Sequence, residues 1–238
     1  MEQNDKNSID FNDLYTDILF EEEPAAAVAE TATPAPRKKA GKTKDSMTFD
    51  KYILLYLHDL VFLLAGIMVV FLLCFRVVVV SGTSMNATLY DGDYLLLLGN
   101  VLYRDVQQGD IIVVSKESFD NGAPIVKRVI ATEGQWVDID FVKGKVYVGD
   151  SKDQMYLLTE PYTLTPTNLY EGISFPLQVE ENCVFVLGDN RNGSKDSRNP
   201  EIGQIDRREI LGKAIFLFLP GTNHGEEQRD YGRIGVIS

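Results

Sequence analysis

Sixteen consecutive residues, 60–75, carry no charge. Upstream, Tyr52, Ile53, Leu54, Leu55, Tyr56 and Leu57 prolong the apolar stretch, with only His58 and Asp59 interrupting it. A helix crossing a bilayer needs about 20 mostly apolar residues, so residues 52–76 predict a transmembrane anchor. The length of the stretch and the roughly 50 residues ahead of it argue against a cleaved secretory leader. The unbroken apolar run argues against a buried core helix. Just upstream lies Arg37-Lys-Lys-Ala-Gly-Lys-Thr-Lys44, and residues 37–51 hold six Lys or Arg against Asp45 and Asp50. By the positive-inside rule this flank predicts a cytoplasmic N-terminus and an extracytoplasmic remainder. Arg76 is expected to snorkel to the outer surface. Residues 1–36 hold nine acids against the single Lys6 and are rich in Ala, Pro and Thr. Such a composition buries too little apolar surface to offset chain entropy, so residues 1–51 read as a disordered cytoplasmic tail with a basic flank. A second span is not expected, because 211–219 is short and contains Lys213.

From residue 77 the pattern changes. Short β-branched runs at 94–98, 111–114, 125–130, 136–139, 145–148, 184–187 and 214–219 alternate with Gly, Asp and Asn turns. No βαβ rhythm is visible. The reading is a mainly β fold, with antiparallel sheets forming a distorted barrel or sandwich. One transmembrane helix and the disordered tail precede it. Residues 77–139 and 183–238 make up the main β-domain. Residues 140–182, with Pro161, Pro166 and Pro176, form an inserted β-subdomain. The net charge of −12 argues against nucleic acid, since phosphate binding needs a basic surface. Cys74 and Cys183 make no disulfide framework and are read as packing residues.

Two histidines limit the catalytic options. His58 falls in the span and His224 in a polar tail after Pro220-Gly221, so a serine nucleophile would need another base. The candidate serine is Ser84, in Val77-Val-Val-Val-Ser-Gly-Thr-Ser-Met-Asn-Ala-Thr-Leu-Tyr-Asp-Gly-Asp93. There a β-branched run ends in a small-residue turn a few residues beyond the span. The candidate base is Lys127, in Pro124-Ile-Val-Lys-Arg-Val-Ile130. Strand alternation puts Ile125, Lys127 and Val129 on one face and Arg128 on the other, so one of the two cations should point outward. Apolar surroundings depress a lysine from its ordinary pKa of about 10.4, leaving a neutral amine able to take a serine proton. Taken singly, Ser84 is an ordinary turn serine and Lys127 an ordinary strand lysine. A third stretch, Val184-Phe-Val-Leu-Gly-Asp-Asn-Arg-Asn-Gly-Ser-Lys-Asp-Ser-Arg198, ends a strand in a loop where Asp189, Asp196, Arg191 and Arg198 offer internal ion pairs. Its arginines and the missing ligand spacing disfavour a Ca²⁺ loop.

Together these stretches resemble the type I signal peptidases, membrane-anchored Ser–Lys proteases of the S26 family. Ser84-Met-Asn-Ala-Thr-Leu89 is similar to the nucleophile motif and Lys127-Arg-Val-Ile130 to the general-base motif. Gly188-Asp-Asn-Arg191 with Ser194-Lys-Asp-Ser-Arg198 is similar to the third signature. The resemblance implies Ser84 as nucleophile, Lys127 as general base and Ser194 as the hydroxyl that orients the lysine. Asp196, Arg198 and Arg128 would form structural ion pairs, and the Ser84 N–H would be one oxyanion donor. It implies preprotein signal peptides as substrates, cut after small residues, with the lipid bilayer as setting. No metal or cofactor is implied, and a monomer is expected. The chain departs from the pattern at Ala87, where Pro is usual, and at Gly82, where some members carry a hydroxyl oxyanion donor. Thr83 and Ser81 are the neighbouring hydroxyls in this oxyanion loop, and the second donor stays open. Two rivals are a catalytically impaired, membrane-tethered β-module that binds or regulates exported proteins, and a self-cleaving repressor-type protease. Neither fits as well: Ala87 and Gly82 would be signs of decay in the first, but the intact Ser84 and Lys127 speak against it, and the membrane anchor and the lack of a DNA-binding helix pair disfavour the second.

Overall fold

The computed structural model describes residues 49–222 and 228–237. The acidic tail, the basic cluster 37–44 and His224 lie outside the described residues.

The apolar stretch forms one helix, α1 (Phe49–Cys74). Large apolar side chains are exposed all round it, from Ile53 through Phe62 to Leu73. A helix apolar on every face must be buried in something, and no part of the described fold covers it. Its 26 residues extend about 39 Å at 1.5 Å per residue, enough to cross a hydrocarbon core of about 30 Å. The helix stops earlier than the anchor boundary at 76. Phe75 and Arg76 already belong to strand β1 (Phe75–Val79), which pairs antiparallel with β2 (Tyr94–Gly99), Phe75 opposite Leu98 and Arg76 opposite Leu97. No loop separates the helix from the sheet, because the β-branched run 77–80 prefers a pleated strand to a helical turn.

The remaining main-sheet strands are β3 (Ile111–Val114), β4 (Ile125–Thr132), β9 (Cys183–Leu187), β10 (Ile205–Asp206), β11 (Ile210–Leu219) and β12 (Gly235–Val236). Their order is β1-β2-β11-β3-β4-β9-β10, with β12 added to β11. Every pairing is antiparallel. Register shifts along β11, and one between Val129 and Ala131 of β4, insert bulges. Bulges bend strands and increase twist, so the sheet curls. A second sheet of order β7-β6-β5-β8 is built from β5 (Trp136–Asp140), β6 (Lys145–Gly149), β7 (Met155–Leu157) and β8 (Leu177–Gln178). It opens at Trp136, ahead of the boundary at 140, because the Trp136–Asp140 strand pairs with β6 and β8 and not with the main sheet.

The cores follow from this layering. Val80, Met85, Leu89, Leu95, Leu97 and Val126 are buried together, which roots the Ser84 loop in the main sheet. Val137, Ile139, Val146 and Val148 of the second sheet pack on Ile130, Phe185 and Leu187. The second sheet thereby covers β4 and β9 where they would otherwise face solvent. Cys74 and Cys183 are both free thiols.

Candidate active site

Ser84 stands in a loop closed at its base. The Val80 N–H donates to Asp93 O at 2.8 Å, and the Gly92 N–H donates to Val80 O at 2.9 Å. Between them, Asn86 N donates to Thr83 O and Leu89 N to Met85 O, which makes a short helical turn. Met85 and Leu89 plug that turn into the core. Gly82 lies at φ +89°, a left-handed conformation that favours glycine, and its N–H donates to Asp91 Oδ1 at 2.8 Å. That position therefore supplies a backbone bend and no hydroxyl. Thr83 and Ser84 are half-buried.

Lys127 comes from β4, which pairs with β3 and β9 in the main sheet. Its Nζ lies 2.8 Å from Ser84 Oγ and 2.9 Å from Val126 O. Lys127 is only 3% exposed. Burial pushes its ammonium down from 10.5 to about 8, and the Asp196, Asp189 and Glu171 carboxylates pull back against that shift. At neutral pH about a tenth of such amines are unprotonated, against fewer than about one in a thousand for an exposed lysine. The ammonium donates to Ser84 Oγ. Once neutral, its lone pair faces the Oγ–H proton at the same separation, and Ser84 Oγ has no other hydrogen-bond partner among the described residues.

Alternation predicts that either Lys127 or Arg128 points to solvent. Both are buried. Arg128 Nε and Nη2 fork onto Asp189 at 2.9 Å each, and Nη1 donates to Gly109 O at 2.8 Å. The Tyr162 ring caps the guanidinium at 4.0 Å. The outer face of β4 is thus covered by the loop after β9 and by the insertion. The sequence offers no sign of this, because Tyr162 and Glu160 lie in a stretch without periodicity.

The loop after β9 grips the Ser84 turn. Asn190 N donates to Ser84 O at 3.0 Å, and Asn190 Nδ2 donates to Thr83 O at 3.1 Å. Thr88 Oγ1 donates to Asp189 Oδ2. Gly188 permits the contact. A Cβ there would lie 2.2 Å from Ser194 Oγ and 2.5 Å from Ser84 O, so no side chain fits. Asp196 and Arg198, both fully buried, pair through two bonds of 2.8 Å. Asp196 Oδ2 also accepts from Gly188 N at 3.0 Å. Arg198 further donates to the carbonyls of Arg191 and Leu169. Arg191 in turn pairs with Glu160 and donates to Thr167. The ion pairs expected of Asp196, Arg198 and Arg128 exist, with Asp189 as the Arg128 partner. Ser194 departs from expectation. It is buried beside Gly188, but its Oγ donates to Lys195 O at 3.3 Å, and Lys127 Nζ donates instead to Ser84 Oγ and Val126 O. The main chain of β4 holds the amine where a serine hydroxyl was expected to.

A family model described as signal peptidase, peptidase S26, matches residues 53–219. Signal peptidase I of Bacillus licheniformis is 32% identical over 154 residues, covering 61% of this chain and 77% of that protein. A probable signal peptidase I-1 of Synechocystis sp. is 33% identical over 155 residues, covering 62% of this chain and 72% of that protein. A crystal structure of a signal peptidase I from Enterococcus faecalis V583 aligns at 27% identity over 46% of this chain and 97% of that one, with a TM-score of 0.36. The match begins inside the apolar helix and runs to the end of β11, taking in the Ser84 loop, the Lys127 strand and the loop that grips them, and by it this chain belongs to the signal peptidase family, peptidase S26.

Proposed function

We propose that this protein removes signal peptides from exported preproteins, with Ser84 as nucleophile and Lys127 as general base. The observation that carries the reading is the 2.8 Å contact between Ser84 Oγ and a buried, depressed lysine amine. The neutral amine takes the Oγ proton as oxygen attacks the scissile carbonyl. The Ser84 N–H makes no hydrogen bond among the described residues and is free to meet the developing oxyanion. The new ammonium gives its proton to the leaving amine, and the acyl-enzyme remains. A water then enters, gives a proton to Lys127 and hydrolyses the ester. The position of the site supports the substrate. β1 follows α1 without a loop, so Ser84 stands ten residues beyond the end of α1, on the side of the span where a signal peptide presents the small residues that end its apolar region. The intact Ser84–Lys127 contact disfavours a purely binding module.

The test is a cleavage assay with the full chain in detergent and a preprotein with alanine at the first and third positions before the cut. Cleavage should fall at that site, and a bulky residue at either position should suppress it. Because the base must be neutral, kcat/KM should rise with pH through about 8 and level off above it. A rate independent of pH between about 6 and 9 would remove Lys127 from the role of base.

The basic flank 37–44 supports a cytoplasmic N-terminus and an extracytoplasmic β-domain. External protease should therefore digest residues 77–238 in cells whose outer layers have been opened but whose cytoplasmic membrane is intact. Protection of that domain would reverse the orientation.

A further inference from the structure

The C-terminal segment returns to the rear of the loop that carries Ser84. Gly235 and Val236 pair with Leu217 and Phe216 of β11, and Ile237 N donates to Ile215 O at 3.1 Å. Ahead of them, Asp230 Oδ1 accepts from Gly232 N at 2.9 Å and turns the chain. Arg233, in that turn, reaches back to Asp93. Its Nη1 donates to Asp93 Oδ1 at 3.0 Å and its Nη2 to Oδ2 at 2.7 Å. Nη2 also donates to Thr88 O at 3.3 Å, and the guanidinium lies 4.2 Å from the Tyr90 ring centroid.

Asp93 is fully buried, and its carboxylate also accepts from Tyr90 N at 2.8 Å and Gly221 N at 2.6 Å. One forked ion pair therefore gathers Thr88, Tyr90 and Asp93 from the rear, while Asn190 holds the carbonyls of Thr83 and Ser84 from the front. Between the segment and the loop lies a cavity of about 260 Å³ bordered by Thr88, Leu89, Leu217, Arg233 and Val236. That space leaves the loop room to sag if the rear hold is lost.

We propose that Arg233 is a positioning residue, whose pairing with Asp93 holds the nucleophile loop so that Ser84 Oγ stays in reach of Lys127 Nζ. The inference rests on the Ser84–Lys127 reading. It makes the C-terminal segment, which lies beyond the 53–219 family match, part of the catalytic geometry of this chain. The hold acts on the nucleophile and not on a substrate pocket, so its loss should fall on kcat.

The experiment compares the full-length wild type with Ser84→Ala, Arg233→Ala, Arg233→Lys, Asp93→Asn, Asp93→Asn/Arg233→Ala and Val148→Ala in the preprotein assay. Each variant's Tm is measured alongside. Val148→Ala opens a hole in the core of the second sheet and serves as a destabilised control. Arg233→Ala should lower kcat about 10–100-fold, the scale set by misplacing a reacting group by about 1 Å, with KM within about twofold. Arg233→Lys should recover part of the rate, since it restores the charge without the planar fork. The double variant should be no slower than the slower single one, because both break the same contact. Val148→Ala should lose Tm and keep kcat. The proposal is overturned if Arg233→Ala costs no more kcat than Val148→Ala, if the loss falls on KM, or if the Asp93 and Arg233 effects add. Should Arg233→Ala not fold, Arg233→Lys and Asp93→Asn decide on the same criteria. An active Ser84→Ala variant would instead sink the nucleophile reading itself, and the positioning role with it.

Discussion

Ser84→Ala and Lys127→Met each reduce preprotein cleavage by about three orders of magnitude or more, and the double variant is no slower than either alone. Groups that act as one unit lose their function together. The two side chains meet at 2.8 Å, and His58, the one histidine among the described residues, stands in α1. Single-turnover rates for the four proteins provide the check, and additive losses would mean that the pair does not work as a unit. Lys127→Met carries a second expectation of opposite sign. In the folded state the lysine titrates near 8, against 10.5 when solvated. Between those values the unfolded chain binds more protons, so stability rises with pH across that window. Below about 8 both states hold the proton, and the full burden of burying the ammonium is present, about 3 kcal/mol by the size of the shift. A methionine removes that burden. The Lys127→Met variant should melt above the wild type at pH 7, and the gap should narrow as pH climbs toward about 10. Lower Tm at pH 7 would show that the amine is not a strained, desolvated group. The higher Tm expected of Lys127→Met would mark the pair as a site kept for chemistry at the expense of stability.

Asp189→Ala should be the most damaging single change to folding. Asp189 is fully buried and takes both arms of the Arg128 fork and the Thr88 hydroxyl. Its removal leaves a buried guanidinium whose remaining partners are Gly109 O and the Tyr162 ring. Breaking a buried pair by removing one member costs about 3–5 kcal/mol, a large share of the roughly 5–15 kcal/mol that holds a typical domain together. Urea unfolding of the variant should show a midpoint lowered to match. Arg128→Met with Asp189→Leu, which removes both charges, should recover much of the loss. If Asp189→Ala unfolds at the wild-type midpoint, the ion pair is not structural. Because the next residue, Asn190, holds the Ser84 carbonyl, the variant should also lose activity even where it remains folded.

The strand runs, the apolar helix and the three motif stretches were legible because each rests on local rules. A β-branched alternation specifies a strand wherever it occurs, and an apolar run longer than a bilayer is thick specifies a span. Ser84 and Lys127 were legible for a similar reason: the turn and the strand that carry them are short-range features. Other parts were not. Tyr162 and Glu160 sit in a segment with no period, yet they cap Arg128 and pair with Arg191. Arg128 looked solvent-facing because alternation assumes one open face, whereas here the second sheet and the loop after β9 close both. The Trp136–Asp140 strand read as part of the main domain because strand patterns do not name their partners.

What the sequence by itself determined is the set of elements and the chemistry on offer: one membrane-length helix, antiparallel strands, a serine in a turn and a lysine within a strand, and an ion-pair loop. Periodicity and residue chemistry are local, so they survive without coordinates. Only the tertiary structure decided what meets what. It put Ser84 Oγ against Lys127 Nζ, gave the amine a main-chain carbonyl where Ser194 was expected, and brought Arg233 onto Asp93 across 140 residues of chain. Such contacts depend on how two curled sheets close over each other and exclude water, and no stretch of sequence records that on its own.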